Sequence, residues 1–309
     1  MGWFSLALLA TVMLTIVNFG DKFVIENEVG HPLAVMIFFT ALNVMTVPVL
    51  WVLSGFERLA FNDSMMLLLV GTIPSLAGYF YFQAVAQEET SRIVVMLQLI
   101  PIFVLILSVL FLDETLSIIQ GIGFVLILGA AIGVSIQQTE KTQSGEAIFS
   151  FSPVLGMMAI ASLIIASGTV LTASIVNRIV VDVPSLLLSL TYTGVGQFLS
   201  GMAIYLFVPQ VRQAFNSHLL TVRPRAYLSM MSIKVVFILR QCAWFMALTL
   251  GPASLIAVVG STNVFFAVIA GWGLTLWKPH IFKEDIRAET LWRKIFWTGV
   301  AFVGILLIR

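Results

Sequence analysis

The stretch Tyr79–Ser117, YFYFQAVAQEETSRIVVMLQLIPIFVLILSVLFLDETLS, decides how the rest of the chain is read. An aromatic, apolar run ends at Gln83-Ala84 and gives way to the polar patch Gln87-Glu88-Glu89-Thr90-Ser91-Arg92. The chain then resumes as about twenty apolar residues that carry Pro101 and stop at Asp113-Glu114. A second version begins at Cys242: CAWFMALTLGPASLIAVVGSTNVFFAVIAGWGLTLWKP. Setting Ala84 against Ala247 puts Thr90-Ser91 opposite Ala253-Ser254 and Gln98 opposite Ser261, with no gap. Few residues are identical. The correspondence matters because it divides the chain into two halves of one plan, and an internal repeat constrains a fold before any single element does.

Composition names the solvent. Of 309 residues, 60% are hydrophobic and 10% charged, and mean hydropathy is +1.05. A soluble domain carries roughly 25% charged residues, so this is a polytopic membrane protein. A net charge of +1 supplies no basic surface for nucleic acid. The single cysteine, Cys242, has no intramolecular partner and lies in an apolar run, where an inert buried thiol is expected. The beginning, MGWFSLALLATVMLTIVNFG, lacks the basic flank and cleavage site of a signal peptide and reads as an uncleaved first span. Leu6 occupies the position where a myristoylation signal wants Ser or Thr.

A membrane-crossing helix needs about 20 mostly apolar residues, and that rule predicts ten. The first five are Gly2 to Gly20, Pro32 to Ser54, Met65 to Gln87, Thr90 to Leu112 and Leu116 to Ile136. A polar linker, 137–152, falls almost at the middle of the chain. The second five are Pro153 to Val176, Pro184 to Val208, Ala226 to Leu248, Pro252 to Trp277, and a last span after Lys294 that runs to Leu307. Between spans seven and eight, Pro209 to Arg225 reads as a loop, and Lys278 to Lys294 as a long charged loop. Five spans per half is an odd number, so the halves insert with opposite orientation. The expected fold is all-α: ten transmembrane helices in two inverted five-helix repeats, residues 1–136 and 153–309. Pro32 and Pro184, each opening the second span of its half, fit that pairing.

The run QAVAQEETSRIVVMLQLIPIFVLILSVLFLDETLSIIQGIGFVLILGAAIG resembles the EamA-type members of the drug/metabolite transporter superfamily. Those proteins share an alanine, a polar turn, small residues, a proline in the next helix, Leu-x-Glu and then a Gly-rich helix, twice over. Asp21-Lys22 after the first span and the charged loop before the last are similar to one branch of the family. The likeness extends over nearly the whole chain and implies a transporter scaffold rather than a substrate. The second half departs from the pattern: Val264 stands for the proline and Trp277-Lys278 for the acidic corner. The resemblance implies cytoplasmic termini, whereas counting Lys and Arg argues the reverse. The loops after spans one, three, five, seven and nine hold eleven basic residues, and the other side holds three, Arg58, Arg178 and Arg309. Basic loops favour the cytoplasm.

Ionisable groups inside a span cost roughly 2.5–3.5 kcal/mol near a helix centre, and the eighth span has two. Lys234 and Arg240 each lie eight residues from one of its ends, about 12 Å at the helical rise. Lys234 and Gln241 share a face, and Arg240 points roughly 120° away. One reading is a central cavity in which Lys234 attracts an anionic or zwitterionic group; the other is snorkelling or structural pairing. Asp21 is a candidate proton carrier or partner for a base of the eighth span, against an interfacial cap beside Lys22. Glu88 and Glu89 complement the dipole of the fourth span, and Asp113-Glu114 with Thr115 caps the fifth.

Lipid offers polar groups no partners, which singles out Asn18, Gln83, Gln98, Ser261, Thr262 and Asn263. The resemblance implies that spans one, three, four, six, eight and nine surround the substrate cavity. Tyr79, Tyr81, Trp244 and Phe245 occupy matching places in the two halves and serve either as stacking walls or as packing. Pro101 is a candidate hinge. Gly121, Gly129 and Gly133 are expected to let helices approach closely.

No phosphate-binding loop, metal-ligand spacing or Ser/His/Asp set is present, and the three histidines fall in separate loops. No cofactor or metal is expected. The reading is a secondary transporter of a small organic metabolite in a plasma membrane, as a monomer or homodimer, with the lipid bilayer and an unidentified small molecule as its partners. The alternatives are a membrane scaffold or sensor of the same build, and an intramembrane enzyme, for which the spans offer isolated cations and no acid-base pair.

Overall fold

The computed structural model describes residues 2–85, 96–139, 153–219, 222–267, 269–270 and 288–308, and among them every regular element is a helix. Expectations about Glu88, Glu89, the polar patch Thr90-Ser91-Arg92, the linker from 140 and the loop residues 278–287 lie outside the described residues.

In chain order the helices are α1 (Trp3–Val24), α2 (Pro32–Ala41), α3 (Asn43–Leu53), α4 (Phe61–Val85), α5 (Leu99–Phe111) and α6 (Ile118–Thr139). The second half contributes α7 (Pro153–Ile179), α8 (Val183–Phe207), α9 (Pro209–Leu219), α10 (Pro224–Leu250), α11 (Ala253–Ser261) and α12 (Ala288–Ile308). Five helical stretches are long and apolar enough to cross a membrane: Trp3–Val29, Pro32–Leu53, Phe61–Tyr81, Val154–Ile179 and Pro224–Leu250. Val183–Phe207 with Pro209–Leu219, bent by 100°, makes a sixth. The chain is thus an integral membrane protein. The expected ten spans are not reached by this measure among the described residues. Four more apolar helices, Leu99–Phe111, Ile118–Ala130, Ala253–Ala267 and Phe296–Ile308, are shorter, and each lies beside residues whose positions or side chains are outside the description.

Two segments expected as loops are helical. Beyond Gly20 the first helix continues to Val24 and widens into a π turn, Ile25–Val29, ended by Gly30 at φ 84. Pro209–Leu219 is a separate helix, because Val211 and Ala214 are buried along one side while Arg212, Gln213 and Asn216 are exposed on the other. Its alternation of character, not its mean apolarity, holds it on the bundle.

The halves interleave. α1 packs along α10, and α4 along α7; α5 packs on α7, and α11 on α1; α6 lies along α12, α5 meets α11, and α2 and α3 lie against α8. The tightest crossing joins α4 to α8. A Cβ built on Gly71 would overlap the Thr193 carbonyl, and one on Gly196 would overlap the carbonyl of Leu68. Backbone meets backbone there, which a side chain would prevent. Two of the three glycines expected to do this in α6 do not: Gly121 and Gly129 face open space, the surroundings of Gly133 lie outside the description, and the close contact is Gly123 on Gly304 and Ile308.

Candidate functional site

The apolar stretches expected as the fourth and ninth spans each contain a turn. Leu97 and Gln98 form a turn from which α5 starts at Leu99, and Thr262 forms a turn after α11. Pro101 explains the first break. Its ring clashes with the carbonyl four residues back, that of Leu97, while its missing N–H costs nothing in the opening turn of α5. Thr262 has no proline beyond it; its hydroxyl and that of Ser261 instead donate to the carbonyls of Val259 (2.6 Å) and Val258 (2.7 Å). Side-chain bonds of this kind compete with the helical ladder. Just past the turn, Asn263 accepts a 2.6 Å hydrogen bond from the Thr15 hydroxyl of α1.

α10 carries both cations, on opposite flanks. Its exposed apolar residues Leu228, Val235, Leu239, Met246 and Leu250 form one stripe at about 100° per residue. From that stripe Arg240 lies roughly 110° to one side and Lys234 roughly 130° to the other. The Arg240 flank faces α1, where Ile233 meets Gly20 and Trp3 lies against Gly251. The Lys234 flank faces α8: the buried ammonium donates to Gln197 Oε1 at 3.0 Å, and Asn43 Nδ2 donates to the same oxygen at 3.2 Å. The Lys234 ammonium also sits 5.2 Å from the Phe237 ring centroid. Arg240 lies 5.1 Å over the ring of Trp244. Gln241 shares the Lys234 flank and is half-buried.

Other expected residues fall in two groups. Asn18 is exposed, yet it sits opposite the lipid-facing Leu9 and Ile16 on α1, so its exposure is to the interior of the bundle. Asp21, near the end of the same helix, is half-buried and acts electrostatically on Tyr81 of α4. Gln98 and Thr262 are buried, and Gln83 and Ser261 half-buried. Tyr79 goes elsewhere: it packs with Ile37, Ile204, Val211 and Phe215 beneath α9, whereas Trp244 packs in the main core. The two aromatics therefore do not form one wall.

Sequence reasoning missed two contacts. Glu114 does not cap the fifth span. Asp113 turns the chain at φ 51, and Glu114 reaches α11, accepting from the backbone N–H of Ala253 (2.5 Å) and Ser254 (3.1 Å) and from the Ser254 hydroxyl (2.6 Å). The acidic corner of the first half thus caps the ninth span of the second. Ala253-Ser254 stood in the repeat alignment opposite Thr90-Ser91, and nothing there signalled the pairing with Glu114. His31, at the start of α2, and His218, in the last turn of α9, are far apart in sequence yet lie 5.7 Å apart between ring centroids. Burial, and then the neighbouring His218, hold the His31 imidazole below its ordinary pKa. Among the described residues no group of three His, Cys, Asp or Glu forms a metal site.

The break at Leu97-Gln98, the acidic corner Asp113-Glu114 and the helix Ile118–Thr139 with its glycines all belong to the first half of the chain. Residues 1–136 match the EamA-like transporter family. The EamA-like match ends where the polar linker begins. Among solved structures, one crystal structure of a protein superposes with a TM-score of 0.68 at 15% identity, covering 99% of this chain and 97% of its own. At that identity the likeness speaks for the fold alone. No curated protein matches the sequence.

Proposed function

We propose that the protein is a secondary transporter of a small organic metabolite, built from two inverted five-helix repeats and working by alternating access. The EamA-like match of the first half carries the reading, and that family is one of transporters, not enzymes. The packing supports the second repeat. Exchange α1 with α7, α4 with α10, α5 with α11, α6 with α12, and α2–α3 with α8, and the contacts exchange too. α1 on α10 becomes α7 on α4, and α5 on α7 becomes α11 on α1. Counting the four shorter apolar helices, this arrangement gives ten spans. Helices broken near mid-membrane at Leu97-Gln98 and Thr262 suit a midplane site, where unwound backbone lines a cavity.

The exchange is not exact, and the largest departure is at α8. α4 is tight on α8, while its counterpart, α10 on α2–α3, is slight. Such an imbalance is what a single end state of a two-state cycle requires, one side closed and its mirror open. In this reading Asn18, Gln83, Gln98, Ser261 and Asn263 line the path, and Lys234 and Gln241 border it on the α8 side. Asp21 is the candidate for proton coupling, and the membrane is the plasma membrane. The test is uptake and counterflow in sealed proteoliposomes against a radiolabelled metabolite panel, with and without a pH gradient. Saturable flux of one solute class is expected. Folded protein that moves nothing on the panel overturns the reading in favour of a binding scaffold.

A further inference from the structure

Resting on that reading, we propose that the transported solute is an organic anion, its carboxylate or phosphate ester seated on Arg240 and its body against Trp244. Among the described residues no carboxylate pairs with Arg240. Among the described residues it makes no hydrogen bond or ion pair, and its Nε is buried with no acceptor. What it has is the face of Trp244 at 5.1 Å. The contrast with Lys234 is direct, since that ammonium already donates to Gln197. A guanidinium keeps its charge in any protein environment, and a charge held within a span without a counter-charge is expensive. A mobile anion relieves it, and the planar fork of Arg matches the two oxygens of a carboxylate or phosphate.

The surroundings fit a site rather than a snorkelling side chain. Arg240 is off the lipid stripe of α10 and turned to the α1 seam. The register set by Gly20 on Ile233 and Trp3 on Gly251 brings Thr15 within about a turn of Arg240. Thr15 is bonded to Asn263 beside the break of the ninth span. Trp244 lies along Gly260, the residue before Ser261, with its ring at ordinary van der Waals distance from where a Cβ would stand. An unpaired cation, an indole face and an Asn-Thr pair therefore sit in one seam between α1, α10 and the broken span. That set recognises an anionic head on an apolar or unsaturated body and repels a cation.

The experiment uses the full chain in proteoliposomes and the panel sorted by charge: carboxylates with amino acids included, phosphate esters, neutral sugars and quaternary ammonium compounds. Saturable counterflow is expected only for one of the first two sets, and which of them moves separates carboxylate from phosphate recognition. Arg240→Gln is expected to raise KM at least ~10-fold, the loss typical of a hydrogen bond to a charged group, and Arg240→Lys less. Saturable flux of sugars or ammonium compounds, or a KM within threefold of wild type in Arg240→Gln, overturns this inference and leaves the transporter standing. Absence of flux for every solute removes both. Wild-type protein gives a second readout independent of variant folding: phenylglyoxal modification of Arg240, followed by peptide mass spectrometry. The transported anion is expected to slow it at least fivefold, and equal rates with and without the anion overturn the assignment.

Discussion

Gly71→Ala adds a single methyl to the middle of α4 and is expected to destabilise the fold. The new Cβ overlaps the Thr193 carbonyl oxygen and sits 2.9 Å from both Gln197 N and Gly196 Cα. All three are backbone atoms, so no rotamer change clears them and the two helices must separate. Overpacking of this kind costs about 1–3 kcal/mol, with the backbone contact placing it at the upper end. Alanine returns up to ~1 kcal/mol through helix propensity, which leaves a net loss of about 2 kcal/mol. Gly129→Ala in α6 is the control, because nothing lies within 4 Å of its added Cβ. There the propensity gain stands alone, about 0.5–1 kcal/mol of stabilisation. The same substitution should therefore change sign between two glycines in transmembrane helices. Gly196→Ala should resemble Gly71→Ala, and the double variant should cost less than the two combined, since once the helices part the second methyl has room. Folded fraction against SDS mole fraction in mixed micelles measures all four. Gly71→Ala and Gly129→Ala lying within ~0.5 kcal/mol of each other would refute the reasoning, and strict additivity would refute the shared crossing.

Three further outcomes are expected. Glu114→Ala removes the acceptor for two backbone N–H groups and one hydroxyl at the start of α11; a cap of this kind contributes about 1–2 kcal/mol, so the same titration should shift by that amount, with Glu114→Gln between. His31 has a folded-state pKa below its ordinary 6.5, so the neutral ring stabilises fully above that pH and its contribution is lost as pH falls through 6.5 and the lowered value. The thermal midpoint of wild type should accordingly fall more between pH 7.5 and pH 5 than that of His31→Gln, and parallel curves would remove the His31–His218 pair as the cause. Asp21→Asn is expected to make counterflow indifferent to an imposed pH gradient while flux persists; a retained pH response would place proton coupling elsewhere.

Much of the bundle was legible because each span announces itself by length and apolarity alone. α9 was not, since its helix is held by Val211 and Ala214 on one side and has too many polar residues to register as a span. The glycines were misassigned for a related reason. Sequence shows where a helix lacks a side chain, not whether a neighbour approaches there, and Gly129 and Gly71 look alike until α8 is in place. Glu114 read as a local cap because local caps are common, whereas its donors lie 139 and 140 residues away. The two cations of α10 carried equal weight in sequence. Their difference is one of partners, Gln197 for Lys234 and no hydrogen-bond partner among the described residues for Arg240, and no spacing rule contains it.

The repeat sharpens that last point. α4 and α10 begin at Phe61 and Pro224, the same offset that sets Ala84 against Ala247, and it sets Gly71 against Lys234. Both positions address the same place on α8: Gly71 meets the Gly196 backbone, and Lys234 reaches Gln197, the next residue. One half touches α8 with bare backbone and the other through an ammonium and an amide. A glycine crossing closes by exclusion of everything between two chains, so it is dry and indifferent to charge. A lysine at the equivalent point keeps its helix at the distance of its own side chain and demands an oxygen. If the halves exchange conformations, they do so with unlike closures, and the α10 side keeps a polar group in the path at the moment it shuts. The inequality lies at a single pair of aligned residues, and under the alternating-access reading proposed above it would make the two closures unlike.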